Sequence, residues 1–152
     1  MVLGGPTAEN EPEVAALADA VVKGDGERTL LEVLQTLREG GSLEKVPNLI
    51  LNRGGRLHHT PSRRNLEPND IPPPDWELLD IRPSLCYPIE ASKGCRYNCA
   101  FCPYPNLGNQ KMKDVGLVVG EMERSRERYG IRTLRFMDSN LTSWPEHVER
   151  LC

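Results

Sequence analysis

Apolar positions in the first 41 residues switch between strand-like and helix-like spacing. Residues 2–3 predict a buried strand that runs into Gly4-Gly5-Pro6, residues 12–17 a short helix, and residues 19–22 a second short strand. A strongly amphipathic helix follows and ends at Gly40-Gly41. Its apolar face is predicted to comprise Leu30, Leu31, Val33, Leu34 and Leu37. Alternating strand and helix signals of this kind are typical of an α/β fold built on a parallel sheet.

The pattern changes over residues 42–84, which we interpret as a linker with one local element. Residues 49–58 predict a β-hairpin that turns at Gly54-Gly55. The prolines that follow favour extended backbone and prevent long helices. A single helical turn is predicted over residues 75–80, with Trp76 packing it down.

Residues 85–152 return to alternating strands and helices. A strand is predicted over residues 87–90 and another over 133–137, with an amphipathic helix between them that ends at Gly130. The apolar face of that helix is predicted to contain Val115, Val118, Val119, Met122 and Tyr129, and its polar face, which includes Glu121, is predicted to be solvated. A capping box with Ser143 as N-cap and Glu146 three residues later predicts a last short helix.

Composition and charge exclude several classes of protein. The 152 residues carry a net charge of −3, which indicates neither a nucleic-acid-binding nor an anionic-membrane surface. No apolar run approaches the roughly 20 residues that span a bilayer. With no targeting segment visible, we expect a cytoplasmic protein. Because the first strand and the last helix both look cut short, we expect the sequence to be a fragment of a longer enzyme.

Three cysteines form the most informative motif. Cys95, Cys99 and Cys102 lie in a Cys-x-x-x-Cys-x-Phe-Cys cluster, and thiolate is the standard ligand of iron–sulfur clusters. A 4Fe–4S cluster has four irons, so three cysteines leave one iron open. An open metal position is typical of a reactive site. We therefore predict a catalytic metal centre on this loop.

Other uses of these thiols are less consistent with the pattern. Structural zinc sites usually have four ligands in paired motifs, and only Cys86 lies near enough in sequence to be a fourth. No βαβ opening of the thioredoxin type precedes the Cys99-x-x-Cys102 pair. Five cysteines without a signal peptide do not indicate a disulfide framework. We interpret Cys86 and Cys152 as ordinary thiols.

The cysteine motif and the residues 87–94 that lead into it resemble radical S-adenosylmethionine (SAM) enzymes, in particular the cobalamin-binding class. The resemblance implies that the three cysteines hold a 4Fe–4S cluster whose open iron chelates SAM. It implies reductive cleavage of SAM to a 5′-deoxyadenosyl radical, with Phe101 near the SAM adenine. An external electron donor such as flavodoxin or ferredoxin would then be a partner.

The first segment resembles the last part of the cobalamin-binding domain that precedes radical SAM domains. The resemblance rests on residues 2–6 and 20–27, and it implies that Gly4 and Gly5 let the backbone approach the nucleotide tail of the corrinoid. The Asp-x-His-x-x-Gly motif that many such domains use for the lower axial ligand is absent from this sequence. We therefore expect this chain to bind cobalamin poorly by itself.

A third match follows the second strand of the radical SAM segment. Residues 137–142 resemble the acidic motif of the family, with Asp138 at its first acidic position, while Ser139 and Leu141 depart from the usual Asp and Phe. The resemblance implies that Asp138 contacts the SAM amino group or supports a neighbour that does. The alternative is that Asp138 only caps a loop. Lys93 and Arg96 flank the cysteines and could favour the reduced cluster or the SAM carboxylate.

The predicted organisation therefore has three parts. Residues 1–41 form the end of a Rossmann-like cobalamin-binding domain, 42–84 a linker with a hairpin, and 85–152 the first βα units of a partial TIM-type radical SAM barrel. The predicted function is that of a radical SAM enzyme, with cobalamin-assisted methyl transfer as one outcome and an unidentified substrate. We expect the chain alone to be catalytically incomplete. The alternative is a non-catalytic iron–sulfur or zinc-binding remnant, or a complementing subunit.

Overall fold

The computed structural model describes residues 1–64, 66–78, 86–102 and 110–152, and these residues form two compact units. The first unit comprises residues 1–66 and the second residues 67–152. Both units mix strands and helices. The α/β fold class predicted from the sequence is confirmed.

The first unit is built on a four-stranded sheet. Its strands are β1 (Val2–Gly4), β2 (Ala20–Val22), β3 (Leu49–Arg53) and β4 (Arg56–His59), in that spatial order. β1 and β2 are parallel, whereas β3 is antiparallel to β2 and pairs with β4 as a hairpin. The hairpin predicted between residues 49 and 58 thus extends the sheet of the first unit.

Helices cover both faces of this sheet. α1 (Pro6–Asn10) and α2 (Pro12–Ala15) lie on one side, and α3 (Gly26–Arg38) lies on the other. β2 is buried on both faces because its side chains alternate between them. One core contains Ala20, Val22, Val33, Val46, Leu49 and Leu51. The opposite core contains Ala8, Ala15, Ala18, Val21 and Ile50.

The buried face of α3 differs from the predicted one. Thr29 and Val33 are fully buried against the sheet. The four leucines predicted for this face (Leu30, Leu31, Leu34 and Leu37) are instead 44–57% exposed. The amphipathic pattern predicted the helix, and Val33, the fifth residue of the predicted face, does pack in the core with Ala20 and Val22 of β2.

The second unit contains a parallel pair of strands with a helix between them. β5 (Tyr87–Ile89) pairs in parallel with β8 (Leu134–Phe136), and α4 (Val115–Tyr129) connects them. A short antiparallel pair, β6 (Ser92–Lys93) with β7 (Lys111–Met112), stands between β5 and α4. This confirms the predicted strand–helix–strand order.

The ends of α4 follow from its sequence. The Asp114 carboxylate caps the N-terminus by accepting hydrogen bonds from the backbone N–H groups of Gly116 at 2.8 Å and Leu117 at 3.3 Å. Gly130 ends the helix in the left-handed conformation at φ 67°. Val118 is fully buried, as predicted. Glu121, predicted to be solvated, is 5% exposed and paired with Lys113.

The last helix, α5 (Pro145–Leu151), does not use the predicted capping box. Trp144, and not Ser143, is at the N-cap position, and no side chain caps the helix. Ser143 belongs to a short 3₁₀ turn, Leu141–Ser143, and its hydroxyl is engaged elsewhere, as described below. The prediction was wrong because Ser143 finds a buried side-chain partner that the local sequence does not reveal.

A short turn precedes β5 in the second unit. A 3₁₀ turn, Trp76–Leu78, matches part of the helical turn predicted over 75–80, while Leu79 and Asp80 lie outside the described residues. The Trp76 ring packs edge-on against Tyr87, with ring centroids 5.4 Å apart. None of the helices in the described ranges is both long enough and apolar enough to cross a membrane.

Candidate functional site

The three predicted cysteine ligands lie on one loop at the carboxyl end of β5. The chain leaves Ile89, forms β6, and turns at Gly94, whose φ of 82° suits glycine. Cys95, Cys99 and Cys102 follow within eight residues, and the Cys102 N–H donates to the Cys99 carbonyl at 3.0 Å. We call residues 94–102 the cysteine loop. Carboxyl ends of parallel strands are where α/β barrels place their reactive groups.

The donor chemistry of the cysteine loop fits an iron–sulfur cluster. All three thiols are free, with Cys99 exposed and the other two half-buried, so each is accessible for ligation. Among the described residues, no three His, Cys, Asp or Glu side chains are arranged to hold a single metal ion. The thiolates of a 4Fe–4S cluster bind separate irons, so they do not need to share one metal position. Cys86 and Cys152 are also free and exposed.

Two aromatic side chains of the cysteine loop face solvent. Phe101, predicted to lie near a SAM adenine, is 89% exposed, and Tyr97 is 55% exposed. Large exposed aromatic rings that contribute little to a core are candidates for ligand contact. The position of Phe101, one residue before Cys102, keeps the predicted role open.

Asp138 lies just after β8 and contacts the strand that leads into the cysteine loop. Its carboxylate accepts a hydrogen bond from the Ala91 N–H at 3.1 Å and one from the Ser92 hydroxyl at 2.5 Å. Each carboxylate oxygen retains further acceptor capacity. Asp138 is therefore joined to β6, and its predicted contact with SAM remains a prediction.

Sequence reasoning missed Gln110, which organises the other side of the loop base. Gln110 is 8% exposed, and its side-chain amide donates to the Ser92 hydroxyl at 3.1 Å and to the Asn140 carbonyl at 2.8 Å. The Ser143 hydroxyl donates to Gln110 Oε1 at 2.5 Å. Nothing in the local sequence marks this residue, because its partners are 18 to 33 positions away.

Arg96 joins the cysteine loop to the same segment. Its guanidinium donates to the Ser143 carbonyl at 3.1 Å. It also lies 5.3 Å from the centroid of the Trp144 ring and 6.0 Å from that of Tyr97, within cation–π range. Lys93, the other basic residue considered from the sequence, contacts the Glu90 carboxylate at 3.1 Å.

The first unit holds a second candidate site at the carboxyl ends of β1 and β2. A cavity of about 240 Å³ is lined by Val2, Leu3, Gly4, Gly5, Val22, Gly24, Gly26 and Leu30. Gly4 and Gly5, predicted from the sequence, therefore share this cavity with Gly24 and Gly26, which follow β2. Four glycines remove the side chains that would otherwise fill it, so a ligand can approach the backbone closely.

Curated relatives of the chain include methyltransferases, an anaerobic magnesium-protoporphyrin IX monomethyl ester cyclase and methylthiotransferases. An uncharacterized methyltransferase of Pyrococcus horikoshii is 29% identical over 93% of this chain and 34% of its own length. Cytidylyl-2-hydroxyethylphosphonate methyltransferase of Streptomyces wedmorensis is 36% identical over 80% of this chain and 24% of its own length. The chain thus spans about a third or less of the relatives that it matches. No protein-family model matches the chain.

A solved structure covers nearly the whole chain. The radical S-adenosylmethionine methyltransferase TsrM from Kitasatospora setae, with cobalamin and a [4Fe-4S] cluster bound, superposes with a TM-score of 0.72 at 22% identity. The match includes 99% of this chain and 32% of that protein. The fold that the resemblance to cobalamin-binding radical SAM enzymes implies is confirmed.

Proposed function

We propose that this chain is the cluster-binding portion of a cobalamin-dependent radical SAM enzyme and that the parent protein is a methyltransferase. The observation that carries the proposal is the loop of three free thiols at the carboxyl end of β5, in a chain whose fold is shared with a radical SAM methyltransferase. The chemistry supplied by a bound 4Fe–4S cluster is one-electron reduction of SAM, which yields a 5′-deoxyadenosyl radical.

Within this proposal the cysteine loop has two tasks. The thiolates of Cys95, Cys99 and Cys102 hold the cluster and leave one iron open for the amino and carboxylate groups of SAM. The exposed ring of Phe101 provides an apolar surface for the SAM adenine. The Asp138 carboxylate, oriented by hydrogen bonds from Ala91 and Ser92, is the proposed contact for the SAM amino group or for a group next to it.

The glycine-lined cavity of the first unit is the proposed cobalamin contact. Gly4 and Gly5 lie at the end of β1, and Gly24 and Gly26 follow β2, so the backbone of both strand ends is accessible. The small cavity volume of about 240 Å³ suits one part of a corrinoid, such as its nucleotide tail, and not the whole cofactor. Further contacts would come from other parts of the parent protein.

The proposal also assigns classes of partner. Single-electron reduction requires an external donor, for which flavodoxin and ferredoxin are the expected types. The methyl acceptor is not specified by the described residues. Because about two thirds or more of each relative lies outside the matched region, we assign substrate contacts to the remainder of the parent enzyme.

Anaerobic reconstitution with iron and sulfide tests the proposal. We expect the chain to bind close to four irons and four sulfides and to show, after reduction, an electron paramagnetic resonance (EPR) signal that changes when SAM is added. Cys99→Ala should remove most of the bound iron. Cys86→Ala is the matched control, because Cys86 is also a free, exposed thiol of the second unit but lies outside the cysteine loop.

Two other results would contradict the proposal. If the chain binds stoichiometric zinc in place of iron, and the Cys99→Ala variant retains that zinc, the three thiols have a structural role or no metal-binding role at all. Equal loss of iron in the Cys86→Ala and Cys99→Ala variants would show that iron binds without the specific ligand set. A cluster whose EPR spectrum does not change when SAM is added would favour the alternative of a non-catalytic iron–sulfur remnant.

A further inference from the structure

We propose that the segment after β8 is a clamp that fixes the geometry of the cysteine loop, and that Arg96, Gln110 and Ser143 are its positioning residues. We call Asp138, Asn140, Ser143 and Trp144 the 138–144 clamp. The proposal rests on the proposed function, because the loop is assigned to cluster binding. Its contacts are nevertheless properties of the metal-free protein.

The clamp contacts the chain on both sides of the cysteine loop. Before the loop, Asp138 accepts hydrogen bonds from Ala91 and Ser92, at 3.1 and 2.5 Å. At the far side, Gln110 donates to the Asn140 carbonyl at 2.8 Å. β6 and β7 also pair with each other, so the described strands bring the two sides together at one base. That base is therefore held by the clamp as well as by the short β-ladder.

Gln110 connects the two halves of this base into one network. Its amide nitrogen donates to the Ser92 hydroxyl, which in turn donates to Asp138. Its amide oxygen accepts from the Ser143 hydroxyl. Successive hydrogen bonds of this kind polarise and strengthen one another where water is excluded, and Gln110 is 8% exposed. A change at any of these side chains would leave a buried polar group without its partner.

Ser143 holds the loop at a second point through a different atom. While its hydroxyl donates to Gln110, its backbone carbonyl accepts a hydrogen bond from Arg96. Arg96 also lies over the Trp144 ring. Since Arg96 directly follows the first cysteine, this contact fixes the loop between Cys95 and Cys99. One residue of the clamp thus positions both the base of the loop and its ligand-bearing part.

The purpose of such a clamp follows from the placement of the thiols. All three lie within eight residues of one loop, so binding of a cluster would fix the backbone of that loop. A loop tied at its base and at Arg96 loses less conformational freedom in that step than a free loop would. The same ties would orient a bound cluster relative to the strand ends. The clamp is therefore expected to influence the response of the cluster to SAM as well as cluster uptake.

Hydrogen–deuterium exchange of the metal-free chain tests the clamp directly. Arg96→Ala should accelerate exchange of the Cys102 amide, which donates to the Cys99 carbonyl, by about fivefold, the range expected for loss of one net hydrogen bond. Ser143→Ala keeps the carbonyl that binds Arg96 and loses only the hydroxyl that binds Gln110, so it should accelerate exchange at β6 and β7 instead. Exchange within α4 should not change. Arg124→Ala is the matched control, because Arg124 is an exposed arginine on α4 away from the cysteine loop. Gln110→Met, which retains side-chain length but not hydrogen bonding, should accelerate exchange at β6 and β7.

A second readout concerns the loaded protein. After reconstitution, Arg96→Ala should retain iron but show a weaker SAM-induced change in its EPR spectrum than the wild type and Arg124→Ala. Wild-type exchange of the Cys102 amide in folded Arg96→Ala, together with wild-type exchange of β6 and β7 in folded Ser143→Ala and Gln110→Met, would overturn the clamp. If the wild type binds no cluster, the proposed function fails, and the exchange data still decide whether the clamp exists.

Discussion

The Lys113 ammonium donates to the Glu121 carboxylate at 3.0 Å, and both side chains are almost completely removed from solvent, at 11% and 7% exposure. Lys113 lies between β7 and α4, and its backbone N–H also donates to the Ala91 carbonyl at 2.8 Å. Glu121 lies two turns into α4. The pair therefore joins the residue that follows β7 to the helix that packs over β5.

Removing one member of this pair should lower the free energy of unfolding of the second unit. Lys113→Met would leave the Glu121 carboxylate buried without its partner, and we expect the free energy of unfolding to fall by about 3–5 kcal/mol. The double variant Lys113→Met/Glu121→Leu removes both charges and should recover most of that loss. Urea unfolding followed by tryptophan fluorescence measures both, since Trp76 and Trp144 lie in the second unit. A double variant as unstable as the single one would contradict this interpretation.

Local sequence patterns predicted where the helices and strands lie better than they predicted which side chains of those elements are buried. Strands β1 to β5 and β8 and the two long helices were predicted because hydrophobic periodicity and end signals such as Gly130 are local, whereas the short elements β6, β7 and α1 were not predicted. The leucines of α3 and the burial of Glu121 were mispredicted. Burial depends on what packs against a helix face, and that information lies in distant parts of the chain.

The candidate site shows the same division. The cysteine motif is contiguous, so its place on one loop could be predicted. Gln110 could not be found, because its function depends on Ser92, Asn140 and Ser143, which are distant in sequence. Ser143 was interpreted as a helix cap because serine two residues before Pro145 is a common cap signal. In the structure Ser143 belongs to the preceding 3₁₀ turn, and its hydroxyl lies 2.5 Å from Gln110 Oε1 and 2.8 Å from the Asn140 carbonyl.

The first unit should lose stability in acid through Glu32. Arg63 donates to both Glu32 carboxylate oxygens, at 2.7 and 3.0 Å, and this contact holds the pKa of Glu32 below its usual value. Because the folded-state pKa is the lower one, the stabilisation is fully present above the unfolded-state pKa, about 4.3, and is lost as the pH falls through the folded-state value. We expect a contribution of about 1 kcal/mol at neutral pH.

Comparison of Glu32→Gln with the wild type checks this dependence. The difference in unfolding free energy should be largest near neutral pH and should shrink as the pH is lowered below about 4. Glu39→Gln is the control, because Glu39 is an exposed glutamate at the end of the same helix. A difference that stays constant from neutral pH to about pH 3 would show that the Arg63 contact does not depend on the charge of Glu32.

Phe101 should affect SAM binding without affecting the fold. Its side chain is 89% exposed, so Phe101→Ala removes little buried surface and should change the unfolding free energy by less than about 0.5 kcal/mol. If the ring packs against the SAM adenine, the variant should need about tenfold more SAM to give the same change in the EPR spectrum of the reduced cluster. Leu117→Ala is the control, because Leu117 is an exposed apolar side chain on α4, outside the cysteine loop. Equal SAM dependence in Phe101→Ala and the wild type would remove Phe101 from the site.

Gly4 and Gly5 offer a matched pair that separates backbone strain from cavity filling. Gly5 has φ 92° and ψ 163°, a conformation almost confined to glycine, so Gly5→Ala should destabilise the first unit by about 1–3 kcal/mol. A Cβ on Gly4 would lie 4.0 Å from Val22, which is ordinary van der Waals contact, so Gly4→Ala should be tolerated. Exchange of the β1 and β2 amides reports both effects: faster exchange is expected only for Gly5→Ala. Equal exchange in the two variants would mean that the backbone at Gly5 accommodates alanine without loss of stability. A requirement for glycine at this position would then have to come from a ligand.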